Sequence, residues 1–115
     1  MGKRSLVIAI TGASSGIGRA LAYEYAKHGH HLSLCARSQD TLKQLKKDIE
    51  AKYNSKVHIQ KVDVTQQEEV KAWISSAWSS FQQLDVLINN AGISMRALFK
   101  ELNIEVIKRV MDVNF

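Results

Sequence analysis

Three of the six glycines in this 115-residue chain, Gly12, Gly16 and Gly18, fall together just after a short apolar run, Leu6-Val7-Ile8-Ala9-Ile10. Glycines let a turn fold tightly and bring backbone N–H groups up to a ligand. The residues beyond them follow a helical pattern, and a helix points its positive end and its free N–H groups back at such a turn. The chemistry offered is phosphate binding. Ser14 and Ser15 add hydroxyls to the turn, and Ile17 sits between its last two glycines.

A second chemical clue lies at Arg37. A ribose with free hydroxyls is usually held by an acid about 20 residues past such glycines. That region reads Ala36-Arg37-Ser38 and holds no acid. A guanidinium there suits a phosphate on the ribose 2′ position, through bidentate charge-assisted hydrogen bonds. The ligand indicated is NADP(H), with Arg37 and Ser38 beside its 2′-phosphate. Asp63 is placed to receive an adenine amino group or to start a turn. Asn89-Asn90-Ala91-Gly92 forms another polar, glycine-bearing cluster.

Positioning these residues takes an ordered set of elements. Ile17, Leu21, Ala22 and Ala26 recur at helical spacing, predicting an amphipathic helix over 16–28 closed by Gly29. Leu32 to Ala36 reads as a second strand. Ser38 can cap a helix carrying Leu42, Leu45, Ile49 and Tyr53 on one face. Val57 to Val62 reads as a third strand, running into Asp63. Thr65-Gln66-Gln67-Glu68 has the form of a capping box, before a helix with Val70, Trp73, Ile74, Ala77 and Phe81 on one face. Val86 to Ile88 is a fourth strand, and a last helix is expected over 102–115, with Ile104, Ile107, Val110, Met111 and Asn114 sharing a face. Alternating strands and helices give an α/β fold, a doubly wound parallel sheet with four strands in the order 3-2-1-4. Ligands in such sheets bind at the carboxyl ends of the strands, where Thr11-Gly12, Arg37, Asp63 and Asn90 all fall.

Composition excludes several other classes. Hydrophobic residues make up 45% of the chain, enough for a core, and no run approaches the roughly 18 apolar residues of a membrane span. The net charge of +5 is not concentrated. Lys43, Lys46, Lys47 and Lys52 share a helix with Asp40, Asp48 and Glu50 and lack interleaved aromatics, so no nucleic-acid surface is expected. His28, His30 and His31 are read as a helix end and a loop, and no metal site is expected. The single cysteine, Cys35, rules out a disulfide framework and makes a reducing, cytoplasmic setting the expectation.

Taken together, Thr11-Gly12-x-x-x-Gly16-x-Gly18, Asp63-Val64, Asn89-Asn90-Ala91-Gly92 and Val113-Asn114 resemble the short-chain dehydrogenase/reductase family across the whole chain. The resemblance implies a Rossmann fold and NADP(H)-dependent hydride transfer between a nicotinamide and a small carbonyl or alcohol substrate. It implies that Asp63 and Val64 meet the adenine, and that Asn90, Ala91 and Gly92 lie under the adenosine ribose. Asn114 resembles the asparagine of the catalytic tetrad, which organises a water in the proton relay. It also implies a homo-oligomer for the full-length form.

One departure matters. In the family, a serine and a Tyr-x-x-x-Lys motif lie well beyond that asparagine, and these 115 residues reach neither. Tyr23-Glu24-Tyr25-Ala26-Lys27 fits the pattern as text, but it lies on the first helix, pointing away from the expected nicotinamide end, and reads as a surface i, i+4 pair. The expectation is therefore the N-terminal, cofactor-binding part of a Rossmann domain, inactive alone. Its edge at strand four should be open and its last helix unpartnered. The alternatives are a non-catalytic dinucleotide-binding or interaction module, and another Rossmann enzyme such as a methyltransferase. The last would leave Arg37 and Asn89 to Gly92 without work.

Overall fold

The computed structural model describes residues 4–90, together with the backbone of 111–114. The order is β1 (Val7–Thr11), α1 (Gly16–Lys27), β2 (His31–Ala36), α2 (Gln39–Lys52), β3 (Val57–Lys61), α3 (Gln67–Phe81), β4 (Val86–Asn89) and β5 (Met111–Asn114). The strands form one parallel sheet in the order β3-β2-β1-β4-β5. The expected 3-2-1-4 order is present, in a Rossmann-like α/β arrangement.

Every residue of β1 is buried, as befits a parallel strand covered on both faces. Its side chains alternate between two cores. Ile8 and Ile10 join Leu32, Leu34, Ile88 and the buried faces of α1 and α2, namely Ala22, Ala26, Leu42, Leu45 and Ile49. Val7 and Ala9 join Cys35, Leu87 and the α3 residues Val70, Trp73 and Ile74 on the other face. The helix on the phosphate-turn side meets the sheet through Gly18, Ala22 and Ala26. Side chains this small let its axis approach β1 closely.

Several expectations need correction. Ile17 was assigned to the buried face of α1, yet it is 54% exposed. It sits at the first turn, above the glycine loop, where the sheet does not reach. Thr65 and Glu68 do not form a capping box. The helix begins one residue beyond Gln66, which makes no side-chain cap, and Glu69 instead accepts from the Asp63 N–H at 3.0 Å. Tyr23 pairs with Asp48 of α2 rather than with Lys27.

The expected helix over 102–115 fails at its C-terminal end. Positions 102–110 lie outside the described residues, and Met111–Asn114 is a strand paired in parallel with β4. Met-Asp-Val-Asn alternates apolar and polar residues, a pattern as suited to a strand as to a helix turn over so short a run. Backbone pairing with β4 decides it. The same pairing closes the β4 edge that was expected to be open, since Val86 to Asn89 match Met111 to Asn114 residue for residue.

A polar chain crosses the second core. The Trp73 indole N–H donates to Ser33 Oγ at 2.9 Å, Ser33 meets His58 Nδ1 at 2.8 Å, and His58 Nε2 meets Ser76 Oγ at 3.0 Å. Trp offers only a donor, so Ser33 Oγ accepts from it, and the His58 ring lies between two hydroxyls, one at each nitrogen. Burial pushes the His58 pKa below its ordinary 6.5, with Lys46 adding to the shift. At the opposite end of β2, His31 Nδ1 accepts from the Lys56 N–H at 3.0 Å. Burial, then Lys56 and His30, likewise lower its pKa.

The pH dependence follows from the sign of these shifts. Well above pH 6.5 both rings are neutral whether the chain is folded or not, and they contribute no slope. Below it the unfolded chain takes up protons before the folded one, so stability falls with acidification until the lowered folded-state values are passed. The slope is at most about 1.4 kcal/mol per pH unit for each histidine, reduced by solvent screening of these partly exposed rings. Urea unfolding midpoints should therefore drop between about pH 7.5 and about pH 5.5, and less so in His58→Gln. Equal midpoints at the two pH values would contradict this account.

Candidate functional site: the carboxyl edge of the sheet

The turn between β1 and α1 is built on backbone geometry that only glycine fits comfortably. Gly12 and Gly16 have φ of +63° and +56°, in the left-handed region. Gly18 is needed for a different reason: a Cβ there would stand 2.4 Å from the Gly12 carbonyl oxygen and 3.0 Å from Asn90 Nδ2. Asn90 in turn donates from Nδ2 to that same carbonyl at 3.3 Å. The Ala13 N–H donates to the Cys35 carbonyl at 3.1 Å, tying the turn to β2. The turn is thus held from both neighbouring strand ends.

At the start of α1, Ser15 occupies the N-cap position in extended conformation without a side-chain hydrogen bond to the helix, and no acid lies in the first turn. The helix therefore presents its first N–H groups and positive end without a side-chain counter-charge, as an anion site requires. By contrast α2 is capped in the ordinary way, with Ser38 Oγ accepting from the Thr41 N–H at 3.3 Å and bonded to Thr41 Oγ1 at 2.8 Å. Ser38 stands beside Arg37 as expected, with its hydroxyl already engaged.

An open cleft of about 220 Å³ lies next to the turn, lined by Gly12, Ser14, Ala36, Arg37, Val62 and Val64. Its apolar walls are Ala36 at the end of β2 and Val62 and Val64 just past β3, and its lining residue Arg37 lies beside Asp63. Arg37 Nη2 is 3.8 Å from Asp63 Oδ1, with the arginine side chain 78% exposed and the aspartate 39%. That Oδ1 also accepts from the Thr65 hydroxyl at 2.7 Å and the Thr65 N–H at 3.0 Å. These bonds, the hydroxyl first, hold the Asp63 carboxyl below its usual range, with a smaller contribution from Arg37. Sequence reasoning missed the roles of Thr65 and Glu69 here, although Asp-x-Thr is a recognisable local turn in which the Asp side chain bonds backbone two residues on.

Gly12, Ser14, Gly16, Gly18, Arg37, Ser38, Asp63, Val64 and Asn90 all come to one edge of the sheet. Ser15 and Ile17 flank the turn, and the exposed Ile17 gives that edge an apolar surface. Ala91 and Gly92 lie outside the described residues. Asn114 is the last residue of β5 and its backbone is in register with Asn89, which brings it to the same edge. The buried Thr11 Oγ1 donates to Asn89 Oδ1 at 3.4 Å and joins the two central strand ends. Tyr23 lies elsewhere, between α1 and α2, against Asp48 and the Arg19 guanidinium. Among the described residues no helix is long and apolar enough to cross a membrane.

The geometry ranks two glycine substitutions. Gly18→Ala forces the Cβ into a backbone oxygen and should cost about 1–3 kcal/mol of stability. Gly16→Ala meets nothing within 4 Å and carries only the left-handed strain, about 1 kcal/mol. Urea unfolding of the two variants checks the order, and an equal or smaller loss in Gly18→Ala would show that the close approach is not a constraint.

Comparison with known proteins bears on the family. The chain matches the short chain dehydrogenase family over residues 6–115. It is 42% identical over 110 residues to 11-beta-hydroxysteroid dehydrogenase-like 3 of Arabidopsis thaliana, covering 95% of this chain and 36% of that protein. The crystal structure of L-sorbose reductase from Gluconobacter frateurii, complexed with NADPH and L-sorbose, matches with a TM-score of 0.74 and 38% identity, covering 95% of this chain and 46% of that one. A short chain dehydrogenase/reductase from Burkholderia phymatum, in complex with NAD, matches with a TM-score of 0.72 and 32% identity over 77% of this chain and 31% of that one. The chain spans about a third of the length of the curated relatives it matches. With the glycine turn, the strand order and the matched span in agreement, the chain belongs to the short chain dehydrogenase family, a family of oxidoreductases.

Proposed function

We propose that residues 1–115 are the cofactor-binding part of an NADP(H)-dependent short-chain oxidoreductase that interconverts a small carbonyl compound and its alcohol. The observation that carries the cofactor choice is Arg37 at the carboxyl end of β2, on the rim of an adenosine-sized cleft that offers no acid at that strand end. The fit is chemical as well as spatial. Gly16, where an added Cβ would meet nothing within 4 Å, leaves the turn open to a pyrophosphate, and the N-terminus of α1, with no side-chain cap and no acid in its first turn, supplies N–H donors and positive potential. Ser14 and Ser15 stand beside it.

Bound there, NADP(H) would supply the hydride. This chain's own residues bind and orient. Arg37 takes the 2′-phosphate, Ala36, Val62 and Val64 give apolar walls for the adenine, and Asp63 with the Val64 backbone meets its polar edge. Asn90, followed by Ala91 and Gly92, underlies the ribose, and Ile17 covers apolar cofactor surface. Asn114 holds the proton-relay water. The solved neighbours, one with NADPH and L-sorbose and another with NAD, support a nicotinamide dinucleotide, and the choice of NADP(H) rests on Arg37. Homo-oligomerisation of the full-length form belongs to the same proposal.

A group that exchanges a proton with the substrate oxygen is the remaining requirement, and Tyr23, hydrogen-bonded to Asp48 between two helices, does not meet it. We therefore expect the 115 residues alone to bind cofactor without turnover. Steady loss of NADPH absorbance on adding a carbonyl substrate to this chain would refute that. For cofactor choice, NADPH should bind more tightly than NADH, and Arg37→Ala should remove most of the difference, a loss of about 1.5–3 kcal/mol for a charge-assisted contact. Equal dissociation constants in the wild-type chain would overturn the assignment.

A further inference from the structure

Asp63 stands beside Arg37, which lines the cleft, and the aspartate is the better fixed of the two. Its Oδ1 receives both the Thr65 hydroxyl and the Thr65 N–H, at 2.7 and 3.0 Å. Its own backbone N–H is held by Glu69 at 3.0 Å. Arg37 is 78% exposed on a flexible side chain, and its guanidinium leans to within 3.8 Å of that oxygen. A stationary anion thus stands beside the group that is to receive a second anion. We propose that Asp63 acts as an electrostatic brake on 2′-phosphate binding: its carboxylate, pinned by Thr65, holds Arg37 in an ion pair that must open before the guanidinium turns to the phosphate, and so sets how sharply the site separates phosphorylated from unphosphorylated adenosine ribose.

The inference rests on the cofactor reading above and adds a specificity-determining role to a residue otherwise placed against the adenine. Two effects act in the same direction. The carboxylate competes for Arg37, and it repels the incoming phosphate dianion. Thr65 is the positioning residue, because without its two donors the carboxylate could rotate into solvent. Any adenine contact made by Asp63 is common to both kinds of nucleotide and cancels in the ratio of their affinities.

Asp63→Asn is the informative variant, since the amide oxygen can still accept from Thr65 while the charge is gone. The dissociation constants of 2′,5′-ADP and 5′-AMP are measured by calorimetric titration on wild-type chain and variant. The preference for 2′,5′-ADP should rise about two- to five-fold in the variant, the range of an exposed ion pair. The rise should shrink at about 1 M salt, where the screening length falls to about 3 Å. Asp63→Ser should move the ratio in the same direction and serves if the amide disturbs folding. An unchanged ratio overturns the brake, and a lower ratio overturns it in favour of Asp63 pre-orienting Arg37. If wild-type chain fails to prefer 2′,5′-ADP at all, the NADP(H) reading itself falls and takes the inference with it.

Discussion

The Gly12 carbonyl and the Gly18 backbone approach so closely that an added Cβ would stand 2.4 Å from the oxygen, and the rest of the site is arranged around that contact. It brings the first turn of α1 down onto the end of β1, which aims the helix N-terminus along the carboxyl edge of the sheet. The small residues that follow, Ala22 and Ala26, continue the close packing into the core. A larger side chain at position 18 would push the helix start away from the Gly12 carbonyl.

Two neighbouring strands hold this contact in place. From β4, Asn90 reaches the Gly12 carbonyl; from β2, the Cys35 carbonyl takes the Ala13 N–H. The glycine turn is therefore more than a flexible loop, because each side of it is fixed by a strand that also contributes to the ligand edge. Cys35 belongs to this support. Its thiol is buried under the turn, and burial pushes its pKa well up, so it behaves as a small apolar side chain rather than a nucleophile.

Charge is distributed on the same plan. Helix α1 carries no acid in its first turn, while α2 and α3 carry Asp40 and Glu68 with Glu69 in theirs. Beside the cleft, Thr65 and Arg37 offset the charge of Asp63, and the Glu69 carboxylate takes the Asp63 N–H.

Much of this was legible in the chain itself. Glycine spacing, the apolar run before it, Arg37 and the alternation of strand and helix patterns locate the fold and the edge, because glycine geometry and hydrophobic period are local properties of sequence. Ile17 was legible as part of the turn but not as exposed, since helical period alone does not say where the sheet ends. The capping box at Thr65 failed because Thr65 and Glu69 are recruited by Asp63, a contact that depends on how the chain leaves β3. Met111 to Asn114 could follow either period, and only pairing with β4 made it a strand and brought Asn114 beside Asn89. Tertiary structure decided what short segments could not, because backbone pairing and close approach involve residues far apart in the chain.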